Sequence, residues 1–215
     1  IVTLISCEKK EKPIIDTLDD EDIKTYKHQD FIMGSDLSYA NVMEEFGGKY
    51  KEGNVAKDVY KIFKDHGKNV VRIRLWHNPS WQVAVNGSLK YSHMADAVKS
   101  IQRAKDNGMA VLLDFHYSDY WADPGHEYKP AAWKGMSFEK MKDALYNYTK
   151  NVMEELKAQG TLPDMVQVGN EINHGIIWPA GSVTDFDNLA QLFFAGVQGV
   201  KSVSPSTSIM LHIAL

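Results

Sequence analysis

Cysteine and clustered basic residues are what this sequence most clearly lacks. Only one cysteine, Cys7, occurs among the 215 residues, so no intrachain disulfide can form and the fold must be held by its core. The 24 lysines and arginines are scattered along the chain and are outnumbered by 28 acidic residues, which gives a net charge of −4. Binding to nucleic-acid phosphates needs basic side chains gathered on one face, so we expect no nucleic-acid partner.

Two common cofactor motifs are also missing. No Gly-x-Gly-x-x-Gly pattern follows the first predicted strand, which argues against a dinucleotide site. Neither a His-Glu-x-x-His pattern nor a second cysteine is present, so we predict no metal site in this chain despite its histidines. The histidines considered as ligands are His77, His93, His116, His126, His174 and His212.

The first 28 residues divide into two segments of different composition. Residues 1–7 read Ile-Val-Thr-Leu-Ile-Ser-Cys, which we interpret as the end of a bacterial lipoprotein signal peptide with a lipobox that closes on Cys7. A chance apolar run before a free cysteine is the alternative. Residues 8–28 are polar, with an acidic run at 16–22, as expected of a solvated tether. We therefore expect a protein of the bacterial cell envelope, anchored through lipid on Cys7 or secreted, that faces the exterior.

From residue 29 onward, strand and helix patterns alternate. Apolar runs predict strands at 31–36, 70–76, 111–116, 165–172 and 208–212. Apolar positions three and four residues apart predict helices at 54–67, 94–108, 137–160 and 189–205. Asn54 and Ser137 can cap the first and third of these helices. No Asn-Gly turn joins consecutive strands, so the pattern predicts right-handed parallel βαβ units.

Two folds are built from such units, an open doubly wound sheet and a closed (β/α)8 TIM barrel. An open sheet gathers its site at one switch point, whereas several strands contribute to the rim of a barrel. Polar or aromatic residues follow all the predicted strands here: Asp36, Trp76 with His77, His116 with Asp119, Glu171, and His212. We therefore predict that residues 29–215 are the N-terminal part of a (β/α)8 barrel, since a complete barrel takes about 250 residues and the fifth strand is the last one seen.

Glu171 is the strongest candidate for a catalytic residue. Asn170 and Glu171 end a short apolar strand, where (β/α)8 glycosidases hold an acid/base carboxylate. Cleaving a glycosidic bond needs one carboxylic acid to protonate the leaving oxygen and a second carboxylate on the other side of the sugar. Glu171 can supply the acid, and Asn170 can donate a hydrogen bond to the sugar 2-hydroxyl. The alternative is a loop or helix start, because asparagine is a good N-cap.

Alternating polar residues in the second and third strands are candidates for the interior of the barrel. Arg72 and Arg74 point to the same side of their strand, as do Asp114 and His116. A buried arginine must be paired, so Arg72 orients either a catalytic carboxylate or a structural ion-pair partner. His116 could hydrogen-bond the substrate or position Glu171, or it could be a satisfied core histidine.

Aromatic residues are dense after the predicted strands. Four tryptophans follow the second, third and fourth strands: Trp76, Trp121, Trp133 and Trp178. Sugar rings stack an apolar face on tryptophan or tyrosine while their hydroxyls bind polar groups. Core packing would explain any one of these residues, but the set of four favours a saccharide groove. The residues predicted to bind substrate are Asn170, Arg72, His116, Asp119, Trp121, Trp76, Asp36 and His212.

These residues lie in segments that resemble glycoside hydrolase family 53, the arabinogalactan endo-β-1,4-galactanases of clan A. The similar segments are Gly-Ser-Asp-Leu-Ser at 34–38, Asn-Val-Val-Arg-Ile-Arg-Leu-Trp at 69–76, Leu-Asp-Phe-His-Tyr-Ser-Asp-Tyr-Trp-Ala-Asp-Pro at 113–124, Lys-Pro-Ala-Ala-Trp at 129–133, Gln-Val-Gly-Asn-Glu-Ile at 167–172 and Met-Leu-His at 210–212. They follow the family's order and spacing over residues 31–215, and the run at 113–124 is the most specific of them.

The resemblance implies a retaining endo-hydrolase of β-1,4-galactan in which Glu171 is the proton donor and then the general base. It also implies that the nucleophile is a second glutamate at the end of strand seven, outside this chain, so that the 215 residues alone would be inactive. Some bacterial relatives bind calcium in the last barrel loop, which is outside this chain too. We expect a monomer that acts on galactan. A clan A enzyme that cuts mannan or glucan, and a surface lipoprotein that binds glycans without cleaving them, stay open as alternatives.

Overall fold

The computed structural model of the protein describes residues 31–87 and 91–215. The predicted lipobox at Cys7 and the predicted tether at 8–28 lie outside the described residues. Among the helices of the described ranges, none combines the length and the apolar composition that crossing a membrane requires.

Five parallel strands form the central sheet, and their order in the sheet is their order in the chain. They are β1 (Gly34–Asp36), β2 (Val70–Leu75), β3 (Ala110–Phe115), β4 (Met165–Val168) and β5 (Ser208–Met210). The three middle strands are almost entirely buried, as expected of a parallel sheet covered by helices. All the predicted strands are present, but β4 ends four residues before the predicted position 172 because the chain turns sharply there.

Six α-helices lie within the described ranges. They are α1 (Ala40–Glu45), α2 (Val59–Asp65), α3 (Gln82–Asn86), α4 (Met94–Asp106), α5 (Phe138–Ala158) and α6 (Phe186–Val203). The sequence pattern predicts α2, α4, α5 and α6. It does not predict α1 and α3, because helices of 6 and 5 residues are too short to show a helical period.

The start of α2 differs from the prediction. Asn54 lies in the turn of a small antiparallel hairpin that pairs Lys51–Glu52 with Val55–Ala56. Asp58 caps the helix instead, and its Oδ1 accepts the backbone N–H of Tyr60 at 2.7 Å. The prediction that Asn54 is the cap is therefore wrong, because its apolar neighbour belongs to the hairpin and not to the helical stripe.

The long helices α5 and α6 cover the outer face of the sheet and pack against each other. Ser137 caps α5 as predicted, since its Oγ accepts the N–H of Lys140 at 3.5 Å. Gly199 lets α6 approach α5 closely, because a Cβ at that position would lie 2.8 Å from Cβ of Thr149. The largest buried cluster joins these helices to the strands through residues such as Leu145, Leu156, Val166, Leu192 and Val200.

The opposite face of the sheet carries a second, smaller buried cluster of Val70, Leu112 and Met165. This face borders a cavity of about 230 Å³ that Asp36 and Arg72 also line. A further two-stranded hairpin, Gly175–Ile176 with Gly181–Ser182, follows β4. Asp36 and Arg72, two of the residues predicted to form the site, are therefore on the inner face of the sheet, away from α5 and α6.

Candidate active site

The C-terminal ends of all five strands lie at one edge of the sheet because the strands are parallel. The pairing register places Asp36 opposite Arg72. It also places Arg74 opposite Asp114, and Asp114 opposite Gln167. Polar side chains that are far apart in sequence thus occupy two successive levels of the sheet, Asp36 with Arg72 at one level and Arg74 with Asp114 and Gln167 at the next. These two levels are the floor of the candidate site.

Glu171 stands in a tight turn just after β4. Gly169 precedes it with φ 88°, and a Cβ there would lie 2.7 Å from Cγ2 of Ile172, so the turn needs glycine. Glu171 itself has φ 50° and ψ 47°, a left-handed conformation that residues with a side chain rarely adopt. Such strain costs about 1–3 kcal/mol and is concentrated at functional sites. The turn is held by the N–H of Ile172, which donates to the carbonyl of His212 at 2.8 Å.

The side chain of Glu171 is free within the described part of the chain. Its backbone carbonyl accepts the N–H of Asn173 at 2.8 Å, but its carboxylate makes no hydrogen bond or ion pair with another described residue. The residue as a whole is half-buried. The fold therefore fixes the backbone of Glu171 and leaves the carboxylate available to a ligand. This is the arrangement expected of a group that exchanges a proton with a bound substrate.

Asn170 is the centre of a hydrogen-bond network behind Glu171. Its side chain is fully buried, and its Oδ1 accepts a hydrogen bond from Nη2 of Arg72 at 2.5 Å. Nδ1 of His212 lies 2.9 Å from the same oxygen. One N–H of the amide donates to the carbonyl of Ala122 at 2.7 Å, and the other has no partner among the described residues. The structure thus brings together three of the predicted site residues: Asn170, Arg72 and His212.

Arg72 connects three parts of the sheet. Its Nη1 donates to Oδ2 of Asp36 at 2.7 Å, and its Nη2 donates to Oδ2 of Asp114. Asp114 is completely buried, so its charge requires a cation of this kind. Arg72 therefore forms the structural ion pair that the sequence allowed and at the same time orients Asn170. Its contact with a second catalytic carboxylate stays a prediction.

Arg74 packs beside Asp36 on the inner face of the sheet. Its Nε lies 3.2 Å from Oδ2 of Asp36, and its guanidinium lies between the rings of Tyr39 and Trp121, 4.2 and 4.6 Å from their centroids. Burial raises the pKa of Asp36, but the charge of Arg74 and hydrogen bonds from Ser38 outweigh burial and hold this pKa below its ordinary value. Asp36 is thus an ionised partner of the interior arginines, and its contact with substrate stays a prediction.

His116 is buried beneath the aromatic rim. Its Nδ1 accepts the N–H of Ala122 at 3.0 Å, so the neutral ring carries its proton on Nε2. Nε2 lies 3.0 Å from Oδ2 of Asp114, although its N–H does not point at that oxygen. The ring packs edge-on against Trp76 and Trp121, with centroids 6.1 and 5.5 Å apart. With 1% of its surface exposed, His116 supports the rim, and direct contact with substrate stays a prediction.

Asp119 braces two loops of the rim. Its Oδ1 accepts the backbone N–H of Asn78 at 2.9 Å, and its Oδ2 accepts that of Ala131 at 2.8 Å. His77 Nδ1 lies 3.5 Å from Oδ1. This supporting role differs from the predicted contact with substrate. It arises because backbone donors in the loops after β2 and β3 need buried acceptors.

The four tryptophans predicted on the rim separate into two groups. Trp121 is 38% exposed and Trp178 is half-buried, whereas Trp76 and Trp133 are each only 3% exposed. Trp133 packs edge-on against Tyr148 of α5, so core packing is the correct interpretation of that residue. The prediction that all four rings line a saccharide groove is therefore wrong, because Trp76 and Trp133 are buried below the rim. Trp121 is the one of the four that presents a large open surface beside the site.

Glu127 is a functional candidate that the sequence pattern does not reveal. It is 1% exposed, and its Oε1 is buried without a hydrogen-bond partner in the described ranges. Burial, together with the negative charges of Asp123, Glu171 and Asp114, raises the pKa of Glu127 to about 9. Its loop is tied to the loop after β4, since the N–H of Trp178 donates to the carbonyl of Glu127 at 2.6 Å. A neutral carboxyl group therefore sits in the acidic surroundings of Glu171.

The arrangement is suited to proton transfer on a ligand with apolar and polar faces. Glu171 offers a free carboxylate and Trp121 offers an open ring, while the contact of the buried Asn170 with a ligand stays a prediction. In residues 31–87 and 91–215, no three histidine, cysteine, aspartate or glutamate side chains are grouped so that they could hold a metal ion.

Several known proteins are similar to this chain over most of its length. Residues 32–215 match the model of the family described as glycosyl hydrolase family 53. An arabinogalactan endo-β-1,4-galactanase of Cellvibrio japonicus is 39% identical over 193 residues, which cover 86% of this chain and 50% of that protein. An endo-β-1,4-galactanase of Bacillus subtilis is 38% identical over 189 residues, which cover 86% of this chain and 42% of that protein. The chain thus spans about half the length of the curated relatives it matches.

The solved structure of the Ignisphaera aggregans GH53 catalytic domain shares the fold. It superposes with a TM-score of 0.79 at 37% identity, over 88% of this chain and 53% of that one. The prediction of a (β/α)8 barrel is thereby confirmed for the five strands and their helices. Since the family model spans nearly all the described residues and the relatives match throughout them, the chain belongs to glycosyl hydrolase family 53.

Proposed function

We propose that the protein hydrolyses β-1,4-galactosidic bonds within galactan chains with retention of configuration, and that Glu171 is its acid/base residue. The observation that carries this proposal is the free carboxylate of Glu171, held at the C-terminal edge of the sheet by the network around Asn170. Two relatives named as galactanases, each similar over most of the chain, support galactan as the substrate.

In the first step, Glu171 donates its proton to the glycosidic oxygen as the bond to the leaving sugar breaks. A second carboxylate attacks the anomeric carbon from the opposite face and forms a glycosyl ester. We assign this nucleophile to a glutamate of a later barrel strand, outside the 215 residues, about 5–5.5 Å from the carboxyl group of Glu171. In the second step, Glu171 takes a proton from water as the water attacks the anomeric carbon; the bond to the nucleophile breaks, its carboxylate is released and the original configuration is restored.

Asn170 and Trp121 are the residues that we assign to holding the sugar. We assign the second amide N–H of Asn170 to the sugar 2-hydroxyl, a contact that would strengthen in the transition state. Arg72 and His212 hold the amide oxygen from two sides, so the amide group cannot rotate away. The ring of Trp121 rests on Arg74 with one face and can stack on a sugar with the other.

We also propose that the protein works as a monomer. We further propose that lipid is attached to Cys7 and that the protein lies at the exterior of the bacterial cell envelope. The basis is the apolar run that closes on Cys7 and the polar composition of residues 8–28. A polysaccharide cannot cross a membrane unaided, so an enzyme that cuts within its chains has to meet it outside the cell.

The direct test is hydrolysis of purified polymers by the complete protein that carries this chain. We expect release of reducing ends from β-1,4-galactan in strong preference to β-1,4-mannan and β-1,4-glucan. Glu171→Gln should lower kcat on galactan by about 10²- to 10⁴-fold. Glu139→Gln, which changes an exposed carboxyl group of α5, should leave it unchanged.

Two results would contradict the proposal in different ways. Preferred cleavage of mannan or glucan would assign the site to another clan A activity. Tight binding of galactan without cleavage would make the protein a glycan-binding lipoprotein.

A further inference from the structure

A pair of stacked aromatic rings lies outside the site described above. Trp81 and Tyr120 stack with their centroids 5.9 Å apart and an angle of 9° between the ring planes. Trp81 lies in the loop after β2 and Tyr120 in the loop after β3, so the pair stands at the same edge of the sheet as Glu171. We call these two rings the outer aromatic platform.

The outer aromatic platform is both exposed and fixed. Tyr120 is 53% exposed although one face of its ring is covered by Trp81. The indole N–H of Trp81 donates to the carbonyl of Asp119 at 2.9 Å, and the N–H of Tyr120 donates to Oγ of Ser118 at 3.2 Å. Because the indole of Trp81 is held by its hydrogen bond and the ring of Tyr120 stacks on it, binding on the open face costs little side-chain entropy.

Ring contacts connect the platform to the candidate site. Trp81 packs against Trp76 at 5.8 Å, and Trp76 packs against His116 at 6.1 Å. His116 in turn contacts Trp121 at 5.5 Å. A continuous series of aromatic side chains therefore runs from the exposed ring of Tyr120 to the ring beside Arg74. Because Trp76 and His116 are buried, this series supports the rim from below, and Tyr120 and Trp121 are the exposed rings at its two ends.

We propose that the outer aromatic platform is an additional subsite that stacks a galactosyl residue of the polymer, away from the bond being cleaved. The inference rests on the proposed function, which supplies a polymeric ligand. The axial C4 hydroxyl of galactose leaves the C–H groups of C3, C4 and C5 together on one face, and such a face packs on the open side of an aromatic ring. We expect the subsite to contribute mainly to the binding of long chains, because it lies away from the bond being cleaved.

The experiment compares polymeric galactan with galactotriose, using the complete protein. Binding to the polymer is measured in a Glu171→Gln background, where cleavage is suppressed. We expect Tyr120→Ala and Trp81→Ala to raise Kd for the polymer about threefold to tenfold. In the active enzyme, the ratio of kcat/KM on the polymer to that on galactotriose should fall by the same factor. Phe194→Ala is the control, since it removes a ring that is 62% exposed on α6, far from the site.

Each outcome has a distinct meaning. Tyr120→Phe and Trp81→Phe keep an aromatic ring, so the ratio of kcat/KM on the polymer to that on galactotriose should stay close to the wild-type value. This comparison separates lost stacking from damaged folding. If the alanine variants bind and cleave the polymer like the wild type, the platform is not a subsite although the proposed function stands. The same conclusion follows if kcat/KM falls equally for the polymer and for galactotriose, so that their ratio stays constant. If the wild-type protein neither binds nor cleaves galactan, the proposed function fails and the subsite fails with it.

Discussion

Arg72 donates a hydrogen bond from Nη2 to Oδ1 of Asn170, a residue 98 positions later in the sequence. The bond joins β2 to the turn that follows β4, directly before Glu171. Arg72 is itself held by Asp36 and by the buried Asp114. The position of the proposed acid/base carboxylate therefore depends on an arginine two strands away.

Replacing Arg72 with methionine should destabilise the protein strongly. The change leaves the fully buried Asp114 without its cation, so the free energy of unfolding should fall by about 3–5 kcal/mol. Urea unfolding measures this loss. Lys61→Met removes only an exposed pair with Asp65 and should leave the free energy of unfolding nearly unchanged. Equally small losses for the two variants would show that Arg72 is not needed to hold Asp114.

The buried carboxyl group of Glu127 should make stability fall as the pH rises. Its pKa is about 9 in the folded protein against an ordinary value of 4.5, so the folded state keeps a proton that the unfolded state releases. The stabilisation is fully present below about pH 4.5 and is lost as the pH rises toward about 9. Glu127→Gln keeps the shape of the neutral carboxyl group and cannot ionise. The Tm of this variant minus the Tm of the wild type should therefore increase as the pH rises from about 4.5 to about 9.

Thermal unfolding of the two proteins at a series of pH values measures the difference. Glu139→Gln alters an exposed carboxyl group and should show a difference from wild type that hardly varies with pH. A Tm difference between wild type and Glu127→Gln that stays constant from about pH 5 to about pH 8 would mean that Glu127 is already ionised in the folded protein.

The sequence predicts the periodic parts of this fold better than the irregular ones. The apolar stripes of α5 and α6 locate these helices because one face of each must be buried. Asn54 is assigned wrongly because a hairpin and a helix start look alike over a few residues. The choice between them depends on pairing between Lys51–Glu52 and Val55–Ala56, which the local pattern does not contain.

The candidate site is predictable to a similar degree. Parallel strands share a direction, so the strand ends alone bring Asn170 and Glu171 to the same edge as Asp36 and His212. Burial cannot be foreseen in the same way. Glu127 looks like any loop carboxylate in the sequence, and its enclosure depends on a second loop that Trp178 ties to it.

Gly199→Ala should weaken the contact between α5 and α6. The added Cβ would lie 2.8 Å from Cβ of Thr149 and 2.9 Å from the carbonyl oxygen of Tyr146, closer than packed atoms tolerate. Overpacking costs about 1–3 kcal/mol and should outweigh the gain in helix propensity of about 1 kcal/mol. Gln198→Ala, on the exposed side of the same helix, is the control in denaturant unfolding. A higher denaturant midpoint for Gly199→Ala than for the wild type would show that α5 and α6 can move apart without loss of stability.

Cys7→Ser should release the protein from membranes if the N-terminal motif is a lipobox. Thioether formation requires the cysteine sulfur, and serine cannot replace it. Fractionation of cells that express the complete gene, followed by detection of the protein in membrane and soluble fractions, measures the change. Ser6→Ala, which keeps a small residue before the cysteine, should stay in the membrane fraction. Membrane association that survives Cys7→Ser would refute anchoring through this residue.

The role of Glu171 has a specific chemical consequence in the complete enzyme. Glu171→Ala should act poorly on polymeric galactan, whose leaving sugar needs protonation. Its first step should survive on aryl β-galactosides, because their good leaving groups need no acid. The glycosyl ester should then accumulate, since the same residue must later activate water.

Azide rescue of Glu171→Ala is therefore the most direct test of the assignment of Glu171 as the acid/base. Azide attacks the glycosyl ester without help from a base, so added azide should restore turnover on an aryl β-galactoside. The configuration of the product, determined by NMR, gives the answer. The assignment predicts a β-galactosyl azide with retained configuration, whereas an α-galactosyl azide would identify Glu171 as the nucleophile and contradict it.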